Sequence, residues 1–246
     1  MREIIKNKKI TGFLILVFIC CLGIAGTILA IQRHGKNQKG ILLAFDDYSA
    51  ETWEAAFDLF DKYDAKVTFF ICATEPTSFC DNAIARGHEI GYHTAGHKNL
   101  IGLDKSEFYE QAIAPLEVFE AAGYQLTSFA YPQGAYEDWM NEELLKYYDT
   151  LRGAYHYRGV YKKDVKGGFI ESRSLDNINY ESDEDYQNKV INMLDGLAAC
   201  DDGTVVSMYS HAIADGSWAI TPDRLEFLLK EAKKRHFKFY TFQDLQ

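Results

Sequence analysis

After a charged opening decapeptide and an unbroken apolar run, the chain alternates short apolar stretches with amphipathic ones. ILLAFDD (41–47), KVTFFIC (66–72), HEIGYHT (88–94), LTSFAYP (126–132), LRGAYHY (151–157), FIESRSLD (169–176), TVVSMYSH (204–211) and FKFYTF (237–242) have strand length. Several are apolar at successive positions, the pattern of strands covered on both faces. Between them apolar residues recur at helical spacing. Ser49 is the expected N-cap of one helix carrying Trp53, Ala56, Phe57, Phe60 and Tyr63 on one face, and a short helix closes at Gly87. A longer helix runs from Asp104, in capping-box spacing with Glu107, to Gly123, with a kink or break expected at Pro115. Others are predicted around 137–147, near 183–198, and from Pro222 after a Thr221 cap. Strands separated by helices predict an α/β fold with a parallel sheet, and seven or eight such units in about 200 residues favour a closed (β/α)7–8 barrel over an open sheet. In either, chemistry gathers at the C-terminal ends of the strands.

The segment before this body has a different character. Residues 11–31 contain no charged side chain. As a helix they reach roughly 30 Å, enough to span a bilayer core. Basic residues precede the run, so the expectation is a cytoplasmic n-region (1–10), a transmembrane signal-anchor (11–31), a polar linker (32–40) and an extracellular domain (41–246). A cleaved signal peptide is the alternative, with a shorter apolar region of about 7 to 15 residues and a small-x-small site that Ile28-Leu29-Ala30 matches poorly.

Composition and charge narrow the partners. Of 246 residues, 47% are hydrophobic and 14% aromatic, enough for a sizeable core. Arg2, Lys6, Lys8 and Lys9 face Glu3 alone, a balance of +3, so the rest of the chain carries −13 of the overall −10. An acidic body disfavours nucleic acid as a partner. Cys20 and Cys21 sit in the apolar run, and Cys72, Cys80 and Cys200 show no CxxC spacing, which argues against a thiolate metal site or a disulfide framework.

Polar residues able to do chemistry fall at the strand ends. Asp46 and Asp47 close the first strand, His93 and His97 follow the third, Pro132-Gln133-Gly134 follows the fourth, and His211 ends the run at 204–211. Two histidines four residues apart on one side of a helical turn can share a divalent ion, and Asp47 completes a facial triad with open positions for water and substrate. The plain reading of the two acids is a cap and a favourable charge at a helix N-terminus. His34, His88 and His236 have no such company and are read as structural.

AFDD (44–47), HTAGH (93–97), YPQG (131–134) and YSH (209–211) resemble, in order and spacing, the motifs of polysaccharide deacetylases with the NodB homology domain, in a Tyr-Pro-x-Gly variant. The resemblance spans about residues 40–245. It implies a distorted (β/α) barrel, a divalent metal (Zn²⁺ first, Co²⁺ or Ni²⁺ as alternatives), and removal of acetyl groups from acetylated polysaccharide or oligosaccharide. Carried over by motif, Asp47, His93 and His97 become metal ligands, Asp46 the general base and His211 the general acid. Because Pro132 lacks an N–H, the backbone donor to an oxyanion falls to Gln133. Tyr131 and Pro132, with the mouth aromatics Tyr48, Tyr92 and Trp218, are the expected substrate contacts, core or rim packing being the alternative.

Three departures qualify the resemblance. The glycine usual after the two acids is Tyr48, the arginine usual before the third motif is Ala130, and the family's fourth motif, an aspartate near a tryptophan that orients the acid histidine, is not recognisable, with Asp176 as the candidate in its place. Arg173 is the expected substitute for the missing guanidinium, a surface or core-edge arginine being the alternative. A hydrolase of a small non-sugar amide at the same site, and an inactive glycan-binding surface module, are the competing functional readings.

Overall fold

The computed structural model describes residues 38–154, 160–162 and 168–245. The n-region, the apolar run at 11–31 and most of the linker lie outside the described residues, as does the end of the strand expected at 151–157. Among the described residues no helix is long and apolar enough to cross a membrane.

The expected strands form as β1 (Gly40–Asp47), β2 (Thr68–Ile71), β3 (Glu89–Tyr92), β4 (Ser128–Ala130) and β5 (Thr150–Gly153). They continue, after the unforeseen β6 (Val160–Lys162), as β7 (Gly168–Glu171), β8 (Arg173–Ser174) and β9 (Thr204–Ser210). A small pair, β10 (Ala212–Ile213) and β11 (Ala219–Ile220), precedes β12 (Lys238–Tyr240). The helices are α1 (Ala50–Ala55), α2 (Phe57–Lys62), α3 (Ser78–Ala85), α4 (Lys105–Ala112), α5 (Pro115–Ala121), α6 (Asp138–Leu144), α7 (Asp183–Ala198) and α8 (Pro222–Lys234).

Asp104 caps α4 through Ser106 and Glu107 N–H, Thr221 caps α8 through Arg224 N–H, and Pro115 ends one helix and opens the next. The single helix expected after Ser49 is corrected to two. Ala56 N–H bonds back only three residues, to the Trp53 carbonyl, and this tighter turn divides α1 from α2. Ser49 makes no side-chain cap; its carbonyl accepts from Thr52 and Trp53 N–H instead.

The strands run β9, β1, β2, β3, β4, β5, β7 in parallel pairs. One extended segment brings the ring nearly to closure. Its first half, β7, pairs with β5, and its second half, β8, pairs with β9. Between them Ser172 donates its N–H to Gly153 and shares a hydroxyl hydrogen bond with Ser207. The barrel expected from the alternation is therefore present. β6 runs antiparallel along β9, and β12 pairs with the first residues of β1. Beyond β12, Phe242 and Gln243 N–H reach the Thr68 hydroxyl and the Glu89 carboxylate at the barrel's base.

The two-residue period of β1 sorts its side chains. Ile41, Leu43 and Phe45 pack outward with the helices, together with Trp53, Phe60 and Phe69. Leu42 and Ala44 point into the lumen with Phe70, Ala130, Ile170, Val205 and Tyr209. Asp46 continues the inward set and is 2% exposed. Gly91 faces the same lumen, where a Cβ would come within 2.5 Å of the Phe70 ring, so only glycine leaves that ring its place. The period thus sends two adjacent acids to different places: Asp46 into the barrel and Asp47 onto its rim.

Candidate active site

The rim is built from backbone that ordinary residues avoid. Asp47 (φ 79°), Thr94 (φ 70°), His97 (φ 53°) and Gln133 (φ 58°) all lie in the left-handed region, a cost of about 1 kcal/mol or more each that persists where surrounding contacts over-determine it. Asp47 is held because its carbonyl accepts from Cys72 N–H at 2.8 Å. The segment His93 to His97 is a turn, which corrects the expected helical one; Ala95 N–H is tied to the Gln111 carbonyl at 2.9 Å. The imidazoles converge because two left-handed residues fold this turn back, not because of helical periodicity.

Asp47 Oδ1 lies 3.5 Å from His93 Nε2 and 3.2 Å from His97 Nε2, and the three ligand atoms fall within 4.8 Å of one another. His93 Nδ1 lies 2.7 Å from the Ala130 carbonyl, which can only accept, so Nδ1 carries the hydrogen and the neutral ring keeps its lone pair on Nε2. Burial holds His97 below the ordinary histidine value despite the opposing Asp47 charge, which favours the neutral ring. Burial pushes Asp47 upward, but the closeness of the His93, His211 and His97 rings brings it below the usual carboxylate value. Asp47 Oδ1 is buried without a hydrogen bond. A carboxylate and two imidazoles aimed at one point are a fitting donor set for a divalent transition ion.

Asp46 and His211 stand beside this set. Asp46 Oδ2 accepts from Arg152 Nη2 at 2.5 Å, while Oδ1 is buried with no partner. The guanidinium expected from Arg173 therefore comes from elsewhere. Arg173 sits on β8 in register with outward-facing Met208, whereas Arg152 points into the lumen from β5 and is 0% exposed. Sequence reasoning missed Arg152, although a charge inside the otherwise apolar stretch LRGAY is itself a sign of a buried partner.

Asp176, fully buried, bonds His211 Nδ1 at 2.9 Å through Oδ2 and takes the Ser210 hydroxyl at 2.6 Å through Oδ1. Burial lowers His211, but the Asp176 hydrogen bond and the charges of Asp46, Asp176 and Asp47 prevail and raise it above 6.5. The His211 carbonyl accepts from Trp53 Nε1 at 2.7 Å, fixing the backbone as well.

The remaining expected contacts divide. Pro132-Gln133-Gly134 forms a 3₁₀ turn whose bonds start at Gly134 and Ala135 N–H, which leaves Gln133 N–H at the turn's unbonded end. The Gln133 side chain accepts from Asn99 at 3.1 Å. Tyr48 is 41% exposed, edge-on to Trp53 and Phe79, and shares a hydrogen bond with Thr77. Trp218 is 64% exposed, with its ring edge-on to His211 at 5.9 Å. Tyr131 and Pro132 are corrected: both are buried. Tyr131 packs on Phe129, Tyr136 and Phe169 and bonds Asn141, leaving no face for a sugar. Tyr92 is likewise buried, with its hydroxyl on the Ala73 carbonyl. Cys72, Cys80 and Cys200 are free thiols.

Comparison with known proteins agrees with this geometry. Residues 33–149 match the family model described as polysaccharide deacetylase, a stretch that includes Asp46, Asp47, His93, His97 and Gln133 and stops short of Asp176 and His211. The chain is 27% identical over 143 residues to the peptidoglycan-N-acetylglucosamine deacetylase PgdA of Listeria monocytogenes. That match takes in 54% of this chain and 31% of PgdA, so the chain spans about a third of that relative's length. The structure of the peptidoglycan deacetylase PdaC from Bacillus subtilis is similar at a TM-score of 0.61 and 20% identity, over 85% of this chain and 91% of that one. The chitin deacetylase of Colletotrichum lindemuthianum gives a TM-score of 0.61 at 16% identity, over 83% and 86%. At such identities the likeness is one of fold.

Proposed function

Because the chain belongs to the polysaccharide deacetylase family, we propose that it is a metal-dependent hydrolase that removes acetyl groups from N- or O-acetylated carbohydrate of a cell wall or surface polysaccharide. The observation carrying this reading is the convergence of Asp47, His93 and His97 on one point, with Asp46 and His211 beside it. In this reading the apolar run at 11–31 anchors the chain and the domain works outside the cell.

Asp47, His93 and His97 are the ligands of the ion, Zn²⁺ by preference and Co²⁺ or Ni²⁺ as alternatives. A divalent ion held there supplies Lewis acidity. Asp46 acts as general base through Oδ1, the oxygen without a partner, and takes the proton of the water that attacks the acetyl carbonyl. Gln133 N–H is the donor available to the oxyanion that develops. His211 has its Nδ1 committed to Asp176, so Nε2 is the atom that delivers a proton to the departing sugar nitrogen or oxygen. Tyr48 and Trp218 offer exposed ring faces to sugar at the rim.

The test is acetate release by the full-length chain from acetylated chitooligosaccharides, peptidoglycan, acetylated xylan and simple amides, after chelation and with Zn²⁺, Co²⁺ or Ni²⁺ restored. Release from a glycan that needs the ion supports the reading. Release confined to simple amides moves the substrate class, and glycan binding with no acetate from any member of the panel overturns the hydrolase reading.

A further inference from the structure

We propose that Asn177 is a positioning residue for Trp218, holding that ring on the side of His211 where the departing sugar lies; the inference rests on the carbohydrate reading above. Three successive residues each grip a different point of the segment 211–217. Asp176 bonds the His211 ring and also accepts its backbone N–H at 3.3 Å. Asn177 Nδ2 donates to the Gly216 carbonyl at 2.8 Å, and Ile178 N–H donates to the Ser217 carbonyl at 3.0 Å. One short turn therefore sets both the proton donor and the loop that carries Trp218.

The direction of the Asn177 amide is dictated by its neighbours. Arg224 Nη1 reaches Oδ1 at 3.0 Å, and a guanidinium can only donate. The amide nitrogen is left facing Gly216, whose carbonyl can only accept. Both ends of the amide are matched. Gly216 has φ 126°, a backbone conformation open to glycine, and this lets the loop tip present its carbonyl to the clamp.

Arg224 gives the clamp a firm base. Its side chain is 11% exposed, its Nε bonds Asp183 at 2.7 Å, and its guanidinium carbon lies 5.2 Å from the centre of the Tyr186 ring and 5.7 Å from that of Tyr180. Its backbone is held as well, with the N–H on the Thr221 cap and the carbonyl accepting from the Tyr186 hydroxyl. Trp218, by contrast, is 64% exposed, so its position comes from the loop beneath it. Its ring stands edge-on to His211. Because His211 Nε2 is the atom that delivers a proton to the departing sugar, a ring beside it meets the sugar and not the acetyl group.

The experiment uses the full-length chain as wild type, Asn177→Asp, Asn177→Ala, Trp218→Ala and Asn177→Asp/Trp218→Ala at neutral pH. Aspartate keeps an oxygen for Arg224 but cannot donate to Gly216, so it cuts the loop bond alone. Acetate release from an acetylated chitooligosaccharide gives kcat and KM, calorimetry gives Kd for the same oligosaccharide, and Zn²⁺ affinity reports on the metal site. Asn177→Asp and Asn177→Ala are each expected to raise KM and Kd about fivefold, the worth of one hydrogen bond, with kcat and Zn²⁺ affinity nearly unchanged. In the Trp218→Ala background the aspartate should add almost nothing, because no ring remains to be placed. KM and Kd unmoved by Asn177→Asp, or a fivefold effect that persists without Trp218, overturns the proposal. A fall in kcat with KM unmoved overturns it too, since the turn would then serve His211 alone. Should Asn177→Ala fail to fold, Asn177→Asp decides, because it keeps the Arg224 partner. Hydrogen exchange judges the clamp without any sugar: residues 212–220 should exchange faster in Asn177→Asp while α8 keeps its protection, and unchanged exchange overturns the clamp. If the wild type neither releases acetate nor binds the oligosaccharide, the carbohydrate reading fails, and the role of Asn177 in placing sugar fails with it even where exchange shows that it holds the loop.

Discussion

His211 Nδ1 and Asp176 Oδ2 lie 2.9 Å apart, and the carboxylate is wholly buried with its second oxygen held by the Ser210 hydroxyl. Burial works against a charged His211, yet the Asp176 hydrogen bond and the charge of Asp46 raise it above 6.5. A group raised in this way keeps its proton below its own value and loses it as pH rises through it. The alkaline limb of kcat/KM is therefore expected above pH 6.5. Asp176→Asn removes a raising influence, so the limb should move to lower pH and kcat should fall by about 10²-fold. A pH profile with an unmoved alkaline limb would show that Asp176 does not set the acid.

The convergence of Asp47, His93 and His97 is expected to make stability responsive to metal. An ion bound only by the folded chain stabilises it by about 3 kcal/mol at a hundred times its Kd, or roughly 5 to 10 °C in Tm for a domain of this size. Zn²⁺ added after chelation should raise Tm in the wild type and not in Asp47→Ala or His93→Ala. Equal shifts in all three would place the ion elsewhere.

Much of this site was legible because strand ends dictate it. Asp46, Asp47, His93 and His211 each close or directly follow an apolar stretch, His97 comes four residues after His93, and the parallel barrel gathers such ends at one mouth. Two things were not legible. The turn that folds His97 back depends on left-handed Thr94 and His97, conformations that no residue type announces as glycine does. The partner of Asp46 depends on strand order: Arg152 is 106 residues away, and only the pairing of β4 with β5 brings its register level into view. Tyr131 was misread for a related reason. Tyrosine serves equally at a rim or in a core, and its place in the outer cluster, just beyond the end of β4, decides between them.

The two aromatics Trp218 and Tyr131 should separate cleanly. Trp218 is 64% exposed beside His211, on a loop fixed by the Ile178 N–H to Ser217 carbonyl bond. Trp218→Ala is expected to raise KM for acetylated oligosaccharides about tenfold, an amount within the ordinary worth of an aromatic contact, while leaving Tm nearly unchanged. Tyr131→Ala empties a core position, so it should cost about 3 kcal/mol or more in urea unfolding. A KM effect without a stability loss at position 131 would overturn its placement in the core.

His88 carries a last prediction, about acid. It is 2% exposed, stacked on Phe57 at 5.3 Å, edge-on to Phe60 and Phe69, and its Nδ1 accepts from Val67 N–H at 3.2 Å. An acceptor nitrogen in an aromatic box cannot readily take a proton, and burial pushes the ring down to about 4. The unfolded chain, with an ordinary histidine near 6.5, binds that proton first, so stability is full above about pH 6.5 and drains away as pH falls toward 4. Between pH 7.5 and pH 5 the loss attributable to this one ring is roughly 2 kcal/mol. His88→Asn keeps an acceptor for Val67 but cannot titrate. It should be less stable than the wild type at pH 7.5, and the gap should narrow by about that amount at pH 5, as read from paired urea unfolding curves. A gap that stays constant across this range would mean that His88 is protonated as easily in the folded chain as in the unfolded one.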